Sequence, residues 1–146
     1  MDRLLKFCSL TPREKQFFCE AGVLLLLSSL CVRTIAFRHI DSLLRARWKD
    51  RTQGCIGYAE DIKLVNRSVS RAANLLPWKS LCLSRSIAAF IMFRRRGIPA
   101  VMVTGVKVLE DSSLVAHAWI DTNHETASES SENSTFTAVV RIGLEQ

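Results

Sequence analysis

The chain has 146 residues, 48% of them hydrophobic, and carries 20 Lys and Arg against 14 Asp and Glu, a formal net charge of +6. That length is one domain with a single modest core, burying roughly two-thirds of the surface its unfolded form exposes. The charge suits an acidic peptide, an anionic membrane surface or nucleic acid. Five widely spaced cysteines, with no Cys-x-x-Cys pair and no nearby His, argue against a zinc site or a disulfide framework and fit a reducing cytoplasm.

Thr11-Pro12-Arg13-Glu14 sets Thr at an N-cap, Pro at the first helical position and Glu three residues after the cap, so a helix is expected from Pro12 to about Val32. Its apolar run, Ala21 to Val32, is 12 residues long before Arg33, short of the ~20 a spanning helix needs. It also lies too far in to resemble a cleaved secretion signal. The expectation is a buried helix, with interfacial membrane contact as the alternative. Cys8, Cys19 and Cys31 read as small buried hydrophobes. A second helix is expected from about Ile40 to Trp48, then a loop from Asp50 to Gly57.

From Tyr58 to Leu76, apolar residues Ile62, Val65, Val69, Ala72, Ala73 and Leu76 recur at three- and four-residue spacing, which predicts an amphipathic helix ended by Pro77. Ser80 can cap the next helix, which runs through Phe93 to Arg94-Arg95-Arg96 before Gly97 and Pro99 stop it. Ile87 to Phe93 is wholly apolar, so this helix is expected at the centre of the domain. Strands follow at Ala100 to Val108, Leu114 to Asp121 and Phe136 to Ile142, with Thr122 to Thr135 either a long loop or a ragged strand. Helices first and strands last predict an α+β domain with a small antiparallel sheet packed on the central helix.

Cys82, two residues after Ser80, falls in the first helical turn, where unpaired N–H groups and the dipole stabilise a thiolate. His117 lies in the apolar strand Leu114-Val115-Ala116-His117-Ala118-Trp119-Ile120, out of place unless it has a partner. A helix-N-terminal Cys followed by a strand His is the order of papain-like and transglutaminase-like enzymes, with imidazole as base and then acid. The backbone N–H of Cys82 is the first candidate oxyanion donor. Trp119 shares the face of His117 in a regular strand and reads as either a shield for the site or ordinary core. Arg94 to Arg96 suit the helix dipole. Alternatively this cluster, or Arg45, Arg47, Lys49 and Arg51, holds an acidic peptide or a partner. No nucleic-acid module, zinc motif or glycine-rich phosphate loop is present in the sequence.

Trp78-Lys79-Ser80-Leu81-Cys82-Leu83-Ser84-Arg85-Ser86-Ile87-Ala88, then Arg94-Arg95-Arg96-Gly97-Ile98-Pro99-Ala100, Val103-Thr104-Gly105-Val106 and His117-Ala118-Trp119-Ile120 resemble, in order, the motifs of the lasso-peptide leader peptidases, the microcin-processing standalone B proteins. Phe136-Thr137 fits that family's final strand. The resemblance implies a transglutaminase-like (papain-like) cysteine peptidase fold. Residues 1–57 would then be a helical N-terminal segment packing on the core, and residues 58–146 the catalytic core. It implies hydrolysis of one bond in a ribosomally made precursor peptide, releasing the core peptide to an ATP-dependent lasso cyclase, with no cofactor and a cytoplasmic setting. The first 60 residues hold too little strand signal for a winged-helix leader-binding domain, so a separate leader-recognition protein is expected.

The family's acid follows the turn after the histidine strand. A turn centred near Asn123 would set Glu129 opposite His117, where family members usually have Asp. Asp121 shares the face of His117 but lies four residues, about 13 Å, along a regular strand, and serves only if the strand bends. Glu125 is the third choice, and all of Glu125, Glu129 and Glu132 can equally be a solvated acidic loop. Two other functions fit the same sequence: a non-hydrolytic scaffold subunit of a peptide-maturation complex, and an acyltransferase that uses an amine in place of water.

Overall fold

The computed structural model describes residues 10–47, 58–76, 82–122, 125–126 and 135–143. Four helices precede four strands: α1 (Pro12–Thr34), α2 (Phe37–Arg47), α3 (Ala59–Ala73), α4 (Cys82–Arg95), β1 (Val101–Val108), β2 (Leu114–Thr122), β3 (Glu125–Thr126) and β4 (Thr137–Ile142). The α+β expectation holds at this level.

The capping box forms as expected. Glu14 N–H donates to Thr11 Oγ1 at 3.3 Å and Thr11 N–H donates to Glu14 Oε2 at 2.9 Å. The backbone N–H of Thr11, and next its hydroxyl, hold the Glu14 carboxyl below its ordinary range. At the other end of the helical half, α4 stops in a Schellman turn: Ile98 N–H donates to Phe93 O at 3.0 Å and Gly97 N–H to Arg94 O at 3.1 Å. Gly97 has φ +70°, the left-handed conformation that this turn requires and that a side chain disfavours.

Helix α4 is the centre of the molecule. It packs against α1 and α3 on one side and against β2 and β1 on the other, and Phe90, Met92 and Phe93 are fully buried. From α3, Ile62, Val65, Val69, Ala72 and Ala73 are buried as their spacing predicts. The Arg94–Arg96 cluster bonds to other parts of the molecule, although Arg95 itself is exposed. Arg94 is buried, donates to Gly143 O at 2.9 Å and lies over the Phe90 ring. Arg95 and Arg96 both pair with Glu20 of α1, and Arg96 covers Phe17. Arg45 likewise bonds Asp41 and the Arg141 carbonyl, both at 2.9 Å, tying α2 to β4. Lys49 and Arg51 lie outside the described residues.

The expectation of a buried helix holds for one face of α1. Phe17, Ala21, Leu25, Ser28 and Ser29 are buried, but Val23, Leu26, Leu27 and Leu30 are exposed. The helix, at 23 residues, is long and apolar enough to cross a membrane by length and composition, which a core helix of a soluble protein also satisfies. Counting the unbroken apolar run stopped at Arg33 and missed the turns before Ala21. Cys19 is exposed and Cys31 half-buried, so neither is fully enclosed.

The sheet order is β3-β2-β1-β4, antiparallel throughout. Strand β2 pairs with β1 without a break from Val101↔Asp121 to Val108↔Leu114. The β1–β4 ladder shifts at Thr104/Gly105, with Thr104 opposite Val140 and Gly105 opposite Ala138, so Val139 forms a bulge. In the β1–β2 turn, Asp111 Oδ1 accepts from Ser113 Oγ at 2.6 Å and Ser113 N–H at 3.0 Å, which lowers its carboxyl.

Candidate active site

Cys82 opens α4. It is half-buried with a free thiol, in a turn whose N–H groups have no partner within the helix. Helix α4 lies on β2, the strand that carries His117. Ser80, Trp78 and the rest of 77–81 lie outside the described residues.

Strand alternation fixes what surrounds the histidine. Met102, Ile120 and Ile142, neighbours in register, join the helical core. His117, Trp119 and Asp121 take the opposite face. Helix α4 packs on the core face of β2, so His117 lies on the face of the strand turned away from that helix, and its ring contacts are with Trp119 and Phe136. On that second face, Trp119 and Val103 are buried and His117 is half-buried.

His117 is bounded by two aromatic rings. The indole of Trp119 stacks on it at 5.9 Å between centroids and 19° between planes. The ring of Phe136, from the segment leading into β4, approaches at 5.2 Å and 39°. Trp119 and Phe136 are themselves 6.4 Å apart. Across the ladder from His117 stands Gly105, which has no side chain to fill this space. Strand alternation alone puts His117 and Trp119 on one face, whereas the places of Phe136 and Gly105 beside them depend on the pairing of separate strands. A glycine inside a strand was the available signal, since it often marks a close approach.

The candidate acids are less gathered. Asp121 is exposed, pairs with Val101 and Thr126, and sits at the far end of the unbroken ladder, about 13 Å along the strand from His117. Strand β3 runs antiparallel to β2, and Glu125 pairs in the backbone ladder with Thr122. Glu129 lies outside the described residues, as does Glu132.

A family profile described as the transglutaminase-like superfamily matches residues 24–141. The match starts within α1 and ends within β4, so it extends across the expected boundary between 57 and 58. No curated protein and no solved structure matches the chain.

Proposed function

Since this chain belongs to the transglutaminase-like superfamily, whose members include cysteine peptidases and acyltransferases, we propose that it is a cytoplasmic cysteine peptidase that removes the leader from a lasso-peptide precursor. The observations behind the chemistry are Cys82 in the first turn of α4 and, later in the chain, His117 on β2, the strand that α4 packs on, with the imidazole on that strand's other face. The resemblance of Trp78–Ala88, Arg94–Ala100, Val103–Val106 and His117–Ile120 to leader peptidases supplies the substrate class.

In the proposed reaction, His117 takes the Cys82 thiol proton and the sulfur attacks the scissile carbonyl carbon. The C–N bond breaks as His117 returns its proton to the leaving amine, leaving a thioester. Water, deprotonated by His117, then attacks the thioester and regenerates the thiol. The Cys82 N–H is the first donor to the oxyanion. Glu129, with Asp121 second, orients the imidazole. Leader recognition falls to a separate protein, and the released core passes to an ATP-dependent cyclase.

The test is mass spectrometry of the precursor after incubation with this protein and its leader-binding partner. Cleavage at one bond, absent with Cys82→Ala, supports the peptidase. Conversion only to an amide or hydroxamate when an amine or hydroxylamine is added points to the acyltransferase reading. No reaction by the wild type, in a mixture where the partner binds leader, favours a scaffold.

A further inference from the structure

The first turn of a helix is among its least secured parts, because its N–H groups find no acceptor within the helix and its end frays. In α4 that turn is Cys82 to Arg85, and it carries the thiol. A hydrogen bond across 56 residues of chain ties it to α1. Ser28 Oγ donates to Ser84 O at 3.0 Å, sharing its one proton with Leu25 O of its own helix at 3.2 Å. The Ser84 carbonyl has two lone pairs, one for the N–H four residues on and one for Ser28, so the tie leaves the helix intact.

Burial makes this bond count. Ser28 is 5% exposed and Ser84 0%, so the bond forms away from water, where a hydroxyl without a partner is a net cost. Two neighbouring hydroxyls, those of Ser29 and Ser84, are also buried, and neither finds a partner among the described residues. Of these three, that of Ser28 alone holds an acceptor.

We propose that Ser28 is a positioning residue for Cys82: its hydroxyl holds the first turn of α4 against α1, and with it the thiol and the Cys82 N–H at the oxyanion. This rests on the reading of Cys82 as the nucleophile. Ser28 acts through the backbone of the turn. Without its bond the turn frays more, and the sulfur spends less time beside the free N–H groups and the positive end of the dipole that favour a thiolate.

The experiment is timed alkylation of the full chain by iodoacetamide at neutral pH, read by peptide mass spectrometry at Cys82, Cys19 and Cys31. It compares the wild type with Ser28→Ala, Ser29→Ala and Ser84→Ala. Each variant deletes one buried hydroxyl, but only Ser28→Ala removes the tie, since Ser84→Ala keeps the carbonyl. Ser28→Ala should slow Cys82 by about three- to tenfold, the range one buried hydrogen bond is worth, with exposed Cys19 and half-buried Cys31 unchanged. Ser29→Ala and Ser84→Ala, which break no bond, should leave Cys82 within about twofold. In the cleavage assay Ser28→Ala should lower kcat and leave KM. Equal Cys82 rates in the wild type and Ser28→Ala overturn the proposal while leaving the nucleophile in place, as does a slowing shared by all three variants. Faster labelling of Cys31 in Ser28→Ala would assign the serine to general packing and also overturn it. A wild-type Cys82 no faster than Cys19 would remove the nucleophile and the proposal together.

Discussion

The indole of Trp119 lies so close to Gly105 that a Cβ on that glycine would be 2.9 Å from Cη2 and 3.1 Å from Cζ3, and 2.8 Å from the Thr137 carbonyl oxygen. Gly105 is the register partner of His117. The missing side chain at 105 is therefore what lets Trp119 fold across the sheet face and stack on the histidine.

Gly105→Ala should cost about 1–3 kcal/mol, because backbone and a buried ring both oppose the methyl group. Urea denaturation measures the loss, and tryptophan fluorescence reports the displaced indole. An unchanged midpoint and spectrum would mean that the contact is soft.

Phe136 bounds His117 from the β4 side, so Phe136→Ala should slow cleavage by roughly tenfold to a hundredfold through a misplaced imidazole. Phe136→Tyr, which keeps the ring, should restore most of the rate. A positioning role predicts the loss in kcat with KM little changed; a loss in KM alone would assign Phe136 to substrate binding.

The acid is tested by separate substitutions. Glu129→Gln should lower kcat by on the order of a thousandfold if it orients His117. Asp121→Asn, about 13 Å along an unbroken strand, should leave it within a few-fold. If neither slows cleavage, the third member of the proposed triad is not among them.

The Glu14 carboxyl is held below its unfolded value by the Thr11 N–H and hydroxyl. The ionised form therefore stabilises the fold above the unfolded carboxylate range, and that contribution is lost as pH falls through the lower folded value. Glu14→Gln should flatten the acid side of the stability–pH profile while changing little of its slope above neutrality. Equal slopes in variant and wild type below pH 5 would contradict this.

Local signals were legible in the sequence. The capping box at Thr11–Glu14 and the stop at Gly97 depend on a few adjacent residues, and both formed where they were expected. Strand positions were likewise legible from Val-rich runs. The exposed face of α1 was not, because that helix buries Ala21, Ser28 and Ser29 and exposes Val23, Leu26, Leu27 and Leu30, the reverse of what side-chain polarity suggests. The setting of His117 depends on contacts among β1, β2 and the Phe136 segment, and registry between strands is not written in any one of them. Cys19 shows the same limit, since the apolar character of its neighbours did not decide its burial.

Thiol reactivity tests the central claim most directly. Cys19 is exposed and Cys82 half-buried, so accessibility alone makes Cys19 the faster to alkylate. Pairing with His117 and placement at the start of α4 reverse that order. Peptide mass spectrometry of the full chain after brief exposure to iodoacetamide at neutral pH should find Cys82 modified well before Cys19, with the advantage lost in His117→Ala. Modification of Cys19 first in the wild type, with no effect of His117→Ala on Cys82, would contradict the Cys82–His117 pair.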